Sequence, residues 1–158
     1  MSYTNADGLQ VLTNGAAGVA AANGTAAVST KKTLVIDIAD ASELGATAAT
    51  PSDNEAFIPA GSYITSASLV VTTAFASVGS ATLSIGAYQQ DGTTVDADGI
   101  DATIALAALA ANKAVACDGA LVGGTATVGA ADVYIKPDYG TAAFTAGAAK
   151  LVIEYIEV

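Results

Sequence analysis

Apolar and polar residues alternate with period two along much of this chain, the pattern of strands with one buried and one wet face. Ser80-Ala-Thr-Leu-Ser-Ile-Gly86 is the cleanest case, with Ala81, Leu83 and Ile85 on one side and Ser80, Thr82 and Ser84 on the other. Thr33-Leu-Val-Ile-Asp-Ile-Ala39 is a compact β-branched run, and over much of Ser62 to Phe75 serine and threonine alternate with larger residues. Asp132-Val-Tyr-Ile-Lys136 and Lys150-Leu-Val-Ile-Glu-Tyr-Ile-Glu157 complete the set. In the last, Leu151, Ile153 and Tyr155 face one way and Val152, Glu154 and Ile156 the other. Apolar residues on both faces predict a strand covered on both sides, the second side by a neighbouring subunit.

Turn signals separate these runs: Asn14-Gly15, Asn23-Gly24, Pro51 to Asn54, Pro59-Ala-Gly61, Asp91-Gly92, Asp98-Gly99, Asp118-Gly119, Gly123-Gly124 and Pro137-Asp-Tyr-Gly140. Asn-Gly and Asp-Gly reach the positive φ of tight turns at little steric cost. Strand-length runs between such signals predict an all-β sandwich or barrel. Two stretches depart from the pattern. Ala102 to Ala111 is rich in alanine and leucine, with Asp101 as a possible N-cap and Asn112 as a stop; it is expected as a short helix, with an extended connection as the alternative. Residues 15–30 show neither period, and residues 1–30 are expected as an N-terminal arm with one short strand, Leu9-Gln-Val-Leu12. Residues 31–158 then form a single β-sandwich domain.

Composition sharpens this picture mainly by what it removes. The 158 residues include no histidine, no tryptophan, and five lysines as the only basic side chains against fifteen acidic ones, for a net charge of -10. Phosphate contacts need clustered cations, and of Lys31, Lys32, Lys113, Lys136 and Lys150 only the first two adjoin, so no nucleic-acid partner and no anionic membrane surface are expected. Thirty-eight alanines inflate the apolar fraction. No run nears the ~18 apolar residues of a membrane span. The opening residues lack a basic segment followed by an apolar one, so synthesis is expected in the cytoplasm.

Without histidine there is no Ser-His-Asp triad and no histidine zinc ligand. One cysteine makes neither a disulfide nor a zinc site; Cys117 is expected as a buried small hydrophobe. Gly123-Gly124 is followed by Thr-Ala-Thr, without the lysine of a phosphate loop. The chain is expected not to be an enzyme and to need no cofactor. Asp91, Asp96, Asp98 and Asp101 form the one polar cluster worth weighing. Asp-x-Asp-Gly resembles part of a calcium loop, but the remaining ligands of that loop are missing, and a solvated turn is the favoured reading, with no metal site assigned. Nine aromatics are scattered through the strands, where core roles are the default; a ligand platform would require several on one exposed face.

Phe57-Ile-Pro-Ala-Gly-Ser-Tyr-Ile-Thr-Ser-Ala-Ser-Leu-Val-Val71, followed by Ala81-Thr-Leu-Ser-Ile-Gly86, resembles small virion structural proteins of tailed bacteriophages. Asp7-Gly-Leu9, Val95-Asp-Ala-Asp-Gly-Ile100, Ala116-Cys-Asp-Gly-Ala-Leu-Val122 and Ala143-Phe-Thr-Ala-Gly-Ala-Ala-Lys-Leu-Val-Ile-Glu-Tyr155 extend the similarity over most of the chain. Head decoration, or cement, proteins are the subgroup it resembles most. That resemblance implies a jelly-roll-like sandwich, a homotrimer, and attachment to the major capsid protein on the capsid exterior. Tyr3, Leu9, Val11 and Leu12 are the expected contact residues of the arm, and removing residues 1–12 is expected to weaken attachment while leaving the folded core. A tail or fibre-associated protein, or a lectin- or adhesin-like binding module, are the alternatives.

Overall fold

The computed structural model describes residues 31–45 and 57–157 in full, and the backbone alone of Tyr3–Thr4 and Gln10–Val11. The chain divides into two units, Met1–Thr30 and Lys31–Val158. In the first, β1 (Tyr3–Thr4) pairs antiparallel with β2 (Gln10–Val11), Tyr3 opposite Val11 and Thr4 opposite Gln10.

The second unit is a sandwich of two antiparallel sheets. Its strands are β3 (Lys31–Ile38), β4 (Tyr63–Ser77), β5 (Thr82–Tyr88), β6 (Thr94–Ala105), β7 (Lys113–Ala116), β8 (Tyr134–Gly140) and β9 (Phe144–Ile156). One sheet has the order β3-β9-β4-β7 and the other β6-β5-β8. From β5–β6 onward the chain crosses between sheets at every step: β7 returns to the first, β8 to the second, and β9 inserts between β3 and β4. This is the winding of a jelly roll, in which two Greek keys wrap one core. A jelly roll has an eighth strand, between the first and third, lying beside β8. Here Ile58 marks that place: its N–H and C=O both bond Val133, at 2.8 and 2.9 Å, just before β8 begins.

Period-two patterning explains how the two sheets close on one another. Leu151, Ile153 and Tyr155 of β9 and Ala81, Leu83 and Ile85 all point inward, joined by Ile64, Leu69 and Val71 of β4. Each such Leu or Ile contributes roughly 1.5–3 kcal/mol by leaving water. Near the end of β4, Phe75 meets Phe144 edge to face, with centroids 5.0 Å apart and planes at 88°. Gly147 faces that pair with φ +141, and a Cβ there would sit 2.6 Å from the Phe75 ring. Bare backbone is what lets β9 pass the phenylalanine, where β4 carries an extra residue between Thr73 and Ala76.

Two expectations are corrected. Residues 102–111 hold no α-helix: β6 runs to Ala105, and Leu106–Ala108 is a single 3-10 turn. Asp101 is a strand residue rather than a helix cap. Asn112 does act as a stop, at φ 61, but it stops the connection into β7, where its N–H donates to the Val71 carbonyl at 2.9 Å. The Asp91–Asp101 stretch is also more than a turn. Only Asp91 lies in the loop; Asp96, Asp98 and Asp101 belong to β6, an element the sequence pattern does not reveal.

The reason is a large bulge. Ile85 pairs with Asp101 and Ala87 with Asp96, so two steps along β5 span five along β6. The looped-out residues find partners elsewhere: the Gly119 N–H donates to the Ile100 carbonyl at 2.8 Å, and the Leu121 N–H to the Gly99 carbonyl at 2.9 Å. Gly86 and Gly119 permit this, because a Cβ on Gly86 would strike the Ala97 carbonyl and one on Gly119 the backbone of Gly99 and Ile100. Buried backbone groups left by the bulge are thereby satisfied.

Candidate contact surface

Outward positions of the four-stranded sheet line up in register across it. One row reads Val35, Val152, Ser68 and Ala116; the next reads Asp37, Lys150, Val70 and Ala114; a third reads Thr33, Glu154 and Ser66. Val35 is 52% exposed and Val70 is 40% exposed, while Val152 and Ile156 are half-buried. The outer side of β9 thus carries Val152 and Ile156, as the sequence indicates, interleaved with Lys150 and Glu154.

Charges on this face are used up locally. Lys150 Nζ lies 2.8 Å from Asp37 Oδ2. Lys31 pairs with Glu154, whose Oε2 also accepts from Ser66 Oγ at 2.7 Å. The Lys31 hydrogen bond, with Ser66 adding to it, holds the Glu154 carboxyl below the usual carboxylate range. Exposed pairs of this kind add little stability. Their effect is to flank the valines with matched charge. At one border, β3, eight residues long, is the edge strand of its sheet among the described residues.

The polar candidates do not assemble into a chemical site. Asp91, Asp96 and Asp101 each turn Oδ1 to an amide two residues ahead, Thr93 at 2.8 Å, Asp98 at 3.3 Å and Thr103 at 3.0 Å. Among the described residues no three His, Cys, Asp or Glu side chains group as a metal would require. Cys117 is buried, and burial first, with nearby Asp101 and Asp118, pushes its thiol up to about 12. Of the arm residues, Leu9 and Leu12 lie outside the described residues, and for Tyr3 and Val11 only backbone is described. No described helix is long and apolar enough to cross a membrane.

These features define a jelly-roll β-sandwich with Val35 and Val70 exposed on the outer face of one sheet. No protein-family model and no curated protein matches the chain. Among solved structures, the fold is shared with a chain described as "Capsid of Ralstonia phage GP4", with a TM-score of 0.54 and 15% identity, over 81% of this chain and 84% of that one. At that identity the likeness is one of fold.

Proposed function

We propose that this chain is a non-enzymatic structural protein of a bacteriophage virion, a cement protein that decorates and stabilises the capsid. In this reading it is made in the host cytoplasm and sits on the capsid exterior as a homotrimer bound to the major capsid protein. It takes no cofactor, and neither nucleic acid nor membrane is its partner. The observation that carries the reading is the shared jelly-roll winding with a phage capsid chain over four-fifths of both molecules. Val35 and Val70, exposed on the outer face of β3-β9-β4-β7, support it, because a trimer needs a heterologous contact that closes after three steps, and an exposed sheet face can supply one side of it.

Two measurements test this. Native mass across a wide concentration range is expected to give a trimer. The double substitution Val35→Glu with Val70→Glu is expected to raise its dissociation constant at least about tenfold, or 1.4 kcal/mol, with the circular dichroism spectrum unchanged. A trimer indifferent to both glutamates would remove this face from the interface. Antibody labelling of intact virions is expected on heads; label confined to tails would favour the tail or fibre-associated reading instead.

A further inference from the structure

Residues 117–124, which follow β7, are laced to both sheets by their main chain. Toward β4, the Cys117 N–H donates to the Ala67 carbonyl at 3.0 Å, and the Gly123 and Gly124 N–H groups share the Ile64 carbonyl at 3.0 and 2.8 Å. Toward β6, the Gly119 N–H donates to Ile100 and the Leu121 N–H to Gly99. The segment is thus a strap, with its two ends tied to one sheet and its middle tied to the bulge of the other. Isolated backbone ties of this kind open locally far more readily than the core strands do.

A buried carboxyl lies beside the middle of the strap. Asp101, next to Ile100 in β6, is in register with the core residue Ile85 and 5% exposed, the one buried acidic side chain among the described residues. Its Oδ1 accepts from the Thr103 N–H at 3.0 Å. From the strap it is faced by Asp118, an exposed carboxylate, and by the Cys117 thiol. β4 presents Leu69 to that thiol; β5 presents Ile85, and beyond it β8 presents Pro137. Lys136 is in register with Gly86, the next position along β5, and so belongs to the other face of the sheet. The nearest charged residues earlier in β6, Asp96 and Asp98, have the same sign as Asp101. Burial first, with the Asp118 charge adding to it, holds the Asp101 carboxyl above the usual carboxylate range. Lifting the strap from β6 admits water to the carboxylate and separates it from Asp118, and both changes relieve the cost of its charge.

We propose that the strap is a pH-sensitive clasp: with Asp101 neutral it holds β6, and with Asp101 charged it releases β6 while staying tied to β4. A carboxyl harder to ionise in the closed state than in the open one favours closure below its open-state value of about 4. That advantage is lost as pH rises through the higher closed-state value. The cross-tie between the sheets is therefore firmest in acid and weakens toward neutral pH. It involves the sandwich alone, so it stands or falls independently of the virion reading.

Amide hydrogen exchange, followed by NMR on the full chain from pH about 4.5 to 7.5 and corrected for the intrinsic pH dependence of exchange, tests this. Protection of the Gly119 and Leu121 amides is expected to fall at least about fivefold over that range, while that of Gly123 and Gly124 changes by less than about twofold. The fall is expected to share its midpoint with the chemical shift of the Asp101 carboxyl carbon, and to vanish in Asp101→Asn. The midpoint comparison needs only the parent protein, so it holds even if the variant does not fold. Flat protection at Gly119 and Leu121, an equal fall at Gly123 and Gly124, a midpoint apart from that of Asp101, or a fall that persists in folded Asp101→Asn would each overturn the proposal.

Discussion

Replacing Gly119 with alanine probes the contact that shapes the acidic strand β6. Gly119 does not have the positive φ that favours glycine, so its need for a bare Cα is steric rather than conformational. An added Cβ meets backbone only, that of Gly99 and Ile100, and no flexible side chain can move aside. Relief requires the Cys117–Val122 segment to lift, which breaks the Gly119–Ile100 and Leu121–Gly99 hydrogen bonds. Two such bonds contribute about 1 kcal/mol each, and forced overpacking adds about 1–3 kcal/mol. The lower entropy of an unfolded alanine returns about 0.4–1 kcal/mol. The net loss is about 3 kcal/mol, or about 10 °C in Tm for a chain of this size. Gly123→Ala is the control. Nothing lies within 4 Å of its Cβ position, but φ is +98, so it carries backbone strain alone, about 1–2 kcal/mol. Urea unfolding of both variants measures the difference. A Gly119→Ala variant within 1 kcal/mol of the parent, or no less stable than Gly123→Ala, would refute the packing of β6 described above.

Two further outcomes follow from buried groups. Burial, reinforced by nearby Asp118, holds the Asp101 carboxyl above the usual carboxylate range, so the folded state favours its protonated form. The stability this gives is complete below the unfolded value of about 4 and is lost as pH rises through the raised folded value. Asp101→Asn is therefore expected to gain stability relative to the parent as pH is taken from about 4 to 7, measured by urea midpoints; a difference flat with pH would contradict it. Asp40, Asp91 and Glu154, whose carboxyls are held low by hydrogen bonds, act in the opposite direction but cancel between parent and variant. Cys117, buried and with its thiol raised to about 12, is expected to resist a thiol reagent at pH 8 until the chain is unfolded. Rapid labelling of the native protein would show that the loop after β7 opens.

Where each side chain alternates between core and water, the sequence was a good guide. The runs at 33–39, 62–75, 80–86 and 150–157 all fall on or within one or two residues of strands, and the inward sets Ala81-Leu83-Ile85 and Leu151-Ile153-Tyr155 are buried as the pattern requires. Asp132–Lys136 marks only the start of β8, which runs on through Pro137 to Gly140. Among the described residues β8 lies at the edge of its sheet, where a proline is tolerated. β6 stayed hidden for two reasons. Its bulge breaks the period, and its carboxylates bond their own backbone, which is the habit of turn residues. The Phe57–Tyr134 ring contact escaped notice because the two residues are distant in sequence and become neighbours only through the Ile58–Val133 bridge.

Sequence by itself determined the all-β class, the principal strands, the inward face of each, and the poverty of catalytic groups. These are local properties, set by alternation along one strand and by which residue types are present. Tertiary structure alone decided the strand order, the bulge docked on Gly119 and the alignment of Val35, Val152 and Val70 on one sheet face. Each of those depends on which strands lie side by side. Antiparallel pairing is carried by backbone groups that every residue has, so period-two patterning orients a strand without choosing its neighbour.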